Sequence, residues 1–186
     1  VSRLIKKVYP DQSEYYWKYD KLGRVIEEQI KLYNGSTKTL ATLSYDANGN
    51  LLSRTNSLGF TWNYEYNALN DIVKETDPSN NITRYSYDKC GRTIAITNPE
   101  DAITSFTYDL DGRMTIKKDS LNNSVQYKYN LGNIIEITDK GGFKTKQTFD
   151  KNNHLISVTD PLGYSEFYFY DAIGNMISKQ DKMANL

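Results

Sequence analysis

Asp88 and Asp109 are the first residues in this chain whose type and setting could do chemistry. Each lies between a tyrosine and a glycine-basic pair, in Tyr87-Asp88-Lys89-Cys90-Gly91-Arg92 and in Tyr108-Asp109-Leu110-Asp111-Gly112-Arg113. A lone Asp in such a stretch is a candidate general acid. Asp46-Ala47-Asn48-Gly49-Asn50 and Asp109-Leu110-Asp111-Gly112 also resemble the opening of a calcium loop. His154 and Cys90, the one histidine and the one cysteine, are the remaining candidates for a base and a reactive thiol.

The elements that would position these residues decide what they are. The Tyr-Asp pair recurs as Tyr19-Asp20, Tyr45-Asp46, Tyr66-Asn67, Tyr87-Asp88, Tyr108-Asp109, Tyr129-Asn130, Phe149-Asp150 and Tyr170-Asp171. From Tyr45 onward the intervals are 21, 21, 21, 21, 20 and 21 residues, and only the first, from Tyr19, is longer at 26. A fixed period of this length marks a repeat architecture.

Each unit has the same grammar. Four residues after the aromatic stands Gly23, Gly49, Asn70, Gly91, Gly112, Asn153 or Gly174; the short unit places Gly132 one step early and Asn133 in register. Gly and Asn enter left-handed backbone cheaply, so this position needs positive φ, and the Asp or Asn before it can bond back onto the turn. A second turn follows about ten residues on, at Asp77-Pro78, Asn98-Pro99, Asp119-Ser120, Asp139-Lys140-Gly141, Asp160-Pro161-Leu162-Gly163 and Asp181-Lys182. Pro10, Pro78, Pro99 and Pro161, all the prolines of the chain, share this phase, as a residue confined to corners should.

Between the turns lie two strand-like runs. The one entering the Tyr alternates, as in Trp62-Asn63-Tyr64-Glu65-Tyr66, Arg84-Tyr85-Ser86-Tyr87, Ser105-Phe106-Thr107-Tyr108 and Gln126-Tyr127-Lys128-Tyr129. That is the period of two of a half-buried strand, with aromatics on one face. The run leaving the turn is apolar, for example Ile72-Val73 and Ile134-Ile135-Glu136-Ile137. Two strands joined by Asp-x-x-Gly make a hairpin, and no helical periodicity appears. The spacing alone allows a hairpin array or a parallel solenoid; the tight reversal favours hairpins.

Within this frame the candidate sites become turn parts. A catalytic acid has singular surroundings, whereas Asp88 stands at a position that repeats in every unit as Asp or Asn, which reads as turn bracing. The calcium-like loops lack a closing Glu and flanking helices. His154 fills a slot that holds Arg or Asn elsewhere, and is expected as an exposed turn residue; Cys90 is expected exposed at a variable turn position. An aromatic ladder is expected from Tyr45, Tyr64, Tyr66, Tyr85, Tyr87, Phe106, Tyr108, Tyr127, Tyr129, Tyr168 and Tyr170, with the phenol tips meeting water. The turn formers are Asp46, Gly49, Asp88, Gly91, Asp109, Gly112, Asp171, Gly174, Pro78, Pro99 and Pro161. The expectation is therefore no catalytic residue, no metal and no cofactor.

Composition agrees. The chain has 186 residues with 23 basic and 23 acidic side chains, so it carries no footprint for nucleic acid or anionic membrane. Its 16 Tyr, 6 Phe and 2 Trp suit a pleated surface and an all-β class. A single Cys excludes an internal disulfide, and no apolar run is long enough for a membrane helix. Three sequons, at Asn34, Asn81 and Asn122, arise easily in so Asn-rich a chain.

A unit of Tyr-Asp-x-x-Gly-[Arg/Asn], seen at Tyr45, Tyr87 and Tyr108, followed by Thr159-Asp160-Pro161-Leu162-Gly163, resembles the YD repeat of RHS (rearrangement hotspot) proteins. The likeness covers essentially the whole chain and is weaker at Tyr66-Asn67, at Phe149-Asp150 and across the segment 32–43, expected as a loop insertion. The resemblance implies one continuous array over residues 1–186, in an antiparallel β-ribbon that winds into a hollow shell. In bacterial relatives such a shell holds a C-terminal toxin segment; in animal teneurins a related barrel belongs to an adhesion receptor. The implied partners are the remaining repeats of the parent chain, an encapsulated toxin segment or, in the alternative reading, glycans bound at the tyrosine face. The implied location of the parent is secreted or cell-surface. The phase of Arg3-Leu4-Ile5 and of Leu186 further suggests a piece cut within a repeat at both ends.

Overall fold

The computed structural model describes residues 5–184, among which are 17 strands and no helix. They fall into two units of closely contacting residues, 1–87 with 96–101 and 88–95 with 102–186. The first unit holds β1 (Lys6–Val8), β2 (Glu14–Tyr19), β3 (Val25–Lys31), β4 (Thr37–Tyr45), β5 (Leu51–Asn56), β6 (Thr61–Tyr66), β7 (Ile72–Thr76) and β8 (Ile82–Tyr87). β9 (Thr93–Thr97) divides its residues between the two. The second unit continues with β10 (Ile103–Tyr108), β11 (Met114–Lys118), β12 (Ser124–Asn130), β13 (Asn133–Thr138), β14 (Lys144–Phe149), β15 (Leu155–Thr159), β16 (Tyr164–Tyr170) and β17 (Met176–Ala184).

From β1 to β8 and from β10 to β17, every strand pairs antiparallel with its sequence neighbours. Among the described residues of each unit, strands contact only their sequence neighbours, so neither unit has an interior layer there. Only Ala41, Ser13 and Ser165 are buried among the described residues. The expected alternation is present: in β6 and β8 the aromatics are half-buried while Asn63, Glu65, Arg84 and Ser86 between them are exposed. Stability must therefore come from rows of half-buried side chains and from the turns.

Both ends of the hairpins use one turn. At the aromatic end, Gly91 N–H donates to the Asp88 carbonyl and Asp88 N–H to the Arg92 carbonyl, both at 3.0 Å, with Gly91 at φ 77°. At the proline end, Asn80 and Asp77 repeat those bonds with Asn80 at φ 64°. This is a type I turn closed by a left-handed residue, and proline at its second position is preset for it. The short unit is built differently. Leu131 (φ 47°) and Gly132 (φ 91°) form a two-residue loop between the paired Asn130 and Asn133, the signature of a type I′ hairpin.

A feature that the residues do not announce sits beside seven of the repeated aromatics. Ser44 pairs Ser53 but Tyr45 pairs Leu51, which leaves Leu52 as an extra residue. The same shift leaves out Ile26, Val73, Thr115, Ile135, Ile156 and Ile177. These are β-bulges, which bend a strand and increase its local twist.

Two expectations need correction. The segment 32–43 is not a loop: only the turn from Leu32 to Ser36 is irregular, and Thr37 onward is β4, with Leu40 bulged opposite Glu28 and Gln29. The extra residues lengthen a hairpin because their Thr-rich alternation suits a strand. Asp181-Lys182 is not a corner either; β17 runs on to Ala184, and the pair forms a bulge opposite Glu166. The expected strand start at Arg3-Leu4 and the phase of Leu186 fall outside the described residues.

Leu131 generates a direct test. A leucine in left-handed backbone costs about 1–2 kcal/mol, and this side chain is 86% exposed, so replacing it sacrifices no burial. Leu131→Asn, which writes Asn-Gly into the turn, is expected to raise the unfolding free energy by about 1 kcal/mol, read by urea denaturation.

Candidate functional site

The turn carboxylates come first because they were the candidate acids. Asp88 Oδ1 accepts the backbone N–H of Cys90 (2.8 Å) and Arg92 (3.0 Å), while Oδ2 accepts the Arg92 guanidinium at 2.6 Å. Asp109 does the same with Asp111, Arg113 and the Arg113 guanidinium. Asp46 uses Asn50 for both oxygens, at 2.8 Å each. Both oxygens of each carboxylate are therefore committed to their own turn. The backbone N–H of Arg92, chiefly, holds the Asp88 carboxyl below its ordinary range, and the Asn50 amide does so for Asp46. Ionised and fully bonded, these groups brace turns and are poor proton donors. Among the described residues no group of three His, Cys, Asp or Glu could hold a metal ion, and neither unit contains a pocket in them.

The side chain just after the left-handed residue does more than expected: it reaches the next turn. Arg24 pairs with Asp20 (2.7 Å), donates Nη1 to the Asp46 carbonyl (2.8 Å) and lies 4.8 Å over the Tyr45 ring. Arg92 repeats this with Asp109 (3.2 Å) and Tyr108 (4.9 Å), and Arg113 lies 5.0 Å over Tyr129. Where Asn replaces Arg the link is an amide: Asn50 donates to Asn70 Oδ1 at 2.7 Å and Asn133 to Asn153 Oδ1 at 3.2 Å. His154, expected as an exposed turn residue, is only 28% exposed. Its Nδ1 lies 3.0 Å from Asp150, and its ring stacks 4.8 Å from Tyr170. The slot is a clamp, and its half-buried position follows from the neighbouring ring it covers. The signal lay in the recurrence of Arg, Asn or His at that phase.

The aromatics nearest the turns bond their hydroxyls to backbone carbonyls. Tyr45 donates its hydroxyl to the Val25 carbonyl, Tyr66 to Leu51, Tyr87 to Ile72, Tyr108 to Thr93, Tyr129 to Met114 and Tyr170 to Leu155, at 2.7–2.9 Å. Each carbonyl belongs to the residue two beyond the left-handed turn residue of the preceding unit. Burial pushes the phenols of Tyr45, Tyr66, Tyr87 and Tyr129 up. Phe149 alone in this register lacks the hydroxyl. Two bonds therefore join successive units, one from the aromatic backward and one from the clamp residue forward.

On the second row of the same face, Tyr64 pairs Glu75 across the strands, and the Tyr85 hydroxyl donates to Glu75 at 3.1 Å. Trp62 and Arg54 are cross-strand partners beside them. The opposite face carries ion pairs, Lys18–Glu27 (2.6 Å), Lys74–Glu65 (2.7 Å) and Lys128–Glu136 (3.0 Å). Cys90 is exposed.

A family model described as Teneurin YD-shell matches residues 11–183. The chain belongs to the teneurin YD-shell family. Among solved structures, TcdB2-TccC3 without its hypervariable C-terminal region matches at TM-score 0.60, and the TcdB2-TccC3-Cdc42 crystal structure at 0.59; each is 14% identical over 94% of this chain. TcdB2-TccC3-TEV matches at TM-score 0.55 and the same identity. At that identity the likeness is one of fold, and the chain spans 12% of each of those chains. No curated protein sequence matches it. The all-β YD-repeat reading is thereby established, and the chain is a shell-family segment.

The bracing carboxylates predict acid sensitivity. Their folded pKa values are depressed, so their contribution is present above the ordinary carboxylate range and is lost as pH falls through the lowered values. Asp88→Asn with Asp109→Asn keeps the Oδ1 acceptors but removes the charge. Thermal melts between about pH 5 and pH 2 should therefore fall less steeply for this variant than for the wild type.

Proposed function

We propose that this YD-shell segment is a non-enzymatic length of wall in a larger secreted or cell-surface protein, enclosing a C-terminal toxin segment or other cargo. The observation that carries the reading is where the polar chemistry goes. Asp, Arg, Asn and the tyrosine hydroxyls of successive units are spent on one another and on turn backbone. A wall needs that arrangement, because each hairpin must hold its neighbours without a core behind it. The family match over residues 11–183 and the fold of TcdB2-TccC3 support the same reading.

The alternative, a glycan-binding adhesion module, would use the same aromatic face. Sugar recognition needs both a stacking ring and free polar groups at its edge. Here the hydroxyls of Tyr66, Tyr87, Tyr108 and Tyr129 already have backbone acceptors, which favours the wall.

A wall has an inside. With Cys90→Ser as background, single cysteines at Arg54, on the aromatic face, and at Glu65, on the opposite one, report the two surfaces. In the intact parent protein a large maleimide-polymer is expected to label one of the two positions and a small maleimide both. Equal labelling of both positions by the large reagent would contradict enclosure.

A further inference from the structure

His154 occupies the clamp slot that holds Arg24, Arg92 and Arg113 elsewhere, and it is the one occupant of that slot whose charge changes near neutrality. Its ring reaches the next turn as the arginine head groups do. A Cβ placed on Gly174 would lie 2.9 Å from His154 Nε2; on Gly49 and Gly112 it would lie 3.9 Å and 3.7 Å from Nη1 of Arg24 and Arg92. Nε2 thus faces the turn glycine of the following repeat, as Nη1 of the arginines does. Those Nη1 atoms donate to the Asp46 and Asp109 carbonyls, which also accept the turn glycine N–H. The corresponding acceptor is the Asp171 carbonyl, bonded at 3.1 Å by Gly174 N–H.

We propose that His154 makes the link between the β14–β15 turn and the β16–β17 turn a pH-dependent clamp that tightens when the imidazole is protonated. A neutral imidazole has a single N–H. Asp150, 3.0 Å from Nδ1, takes it, so Nε2 turns a lone pair toward a carbonyl-bearing turn. The imidazolium offers a donor on both nitrogens and places a cation on the Tyr170 ring, 4.8 Å away and 19° from parallel.

The titratable groups placed around the imidazole come from its own turn, from β16 and from the following turn. On its own turn stands Asp150, whose carboxyl is held below its ordinary range chiefly by the His154 backbone N–H. From β16 comes Tyr170, whose hydroxyl donates to the Leu155 carbonyl. The following turn brings Asp171, its carboxylate taken up by Ile173 and Asn175. No cation is bonded to these groups in the bonds they make here. The extra interactions belong to the charged imidazole, so the clamp is tightest with both ring nitrogens protonated and looser when one has lost its proton.

Hydrogen exchange of the Gly174 and Asn175 amides at about pH 5.5 and pH 8 reads the clamp directly, after correction for intrinsic rates. In the wild type, protection is expected to be severalfold higher at the lower pH, with the Asp88–Arg92 turn as an internal control that does not change. His154→Arg should hold the higher protection at both pH values, and His154→Asn the lower. A wild-type turn protected equally at both pH values, or a pH change in His154→Arg as large as the wild type's, would overturn the proposal. The wild type alone also suffices: the Tyr170 ring signals should follow the His154 imidazole titration in NMR, and their indifference to it would count equally against the clamp.

Discussion

A two-stranded hairpin has no interior, and in isolation it is marginal in water. Here neither unit adds a second layer: contacts run only between strands adjacent in sequence, and almost nothing is fully buried. What each hairpin gives the next therefore carries the structure. The ladder supplies backbone bonds, as any sheet does. Added to it is a reciprocal pair of side-chain links, a tyrosine hydroxyl reaching back to a carbonyl of the preceding hairpin and a guanidinium reaching forward to the next turn. The guanidinium does three things at once: it neutralises its own turn aspartate, caps the next turn's carbonyl and covers the next tyrosine ring. Repeated through the array, such links stand in for a core.

Much of this was legible in the residues, for identifiable reasons. Left-handed backbone restricts residue choice sharply, so Gly49, Gly91 and Gly112 announced the turns, and Asp88 before Gly91 announced the brace. Period-two alternation announced the aromatic face. The proline-end corners were read from Pro and Asp, although the left-handed residues there include Asn80, Asp101 and Asn122, which sequence alone marks less sharply.

The rest was hidden because the decisive feature is relational. A bulge residue such as Val73 or Ile156 is an ordinary strand former, and nothing in its identity says that it lacks a partner. Alternation says which face Tyr87 occupies, but not that its hydroxyl ends 2.7 Å from the Ile72 carbonyl. His154 looked like an exposed turn residue because its target, Tyr170, lies one unit further along the chain. Excess length at 32–43 was mistaken for a loop, although Asn34-Gly35 already marked a compact turn and the Thr-rich run after it a strand.

The central claim is that the forward clamp and the aromatic it covers are energetically one device. A double-mutant cycle on Arg92→Gln and Tyr108→Leu, measured by denaturant unfolding, addresses it most directly. The account predicts that the two losses are not additive, with a coupling clearly larger than experimental error. Additivity of the two substitutions within experimental error would contradict it.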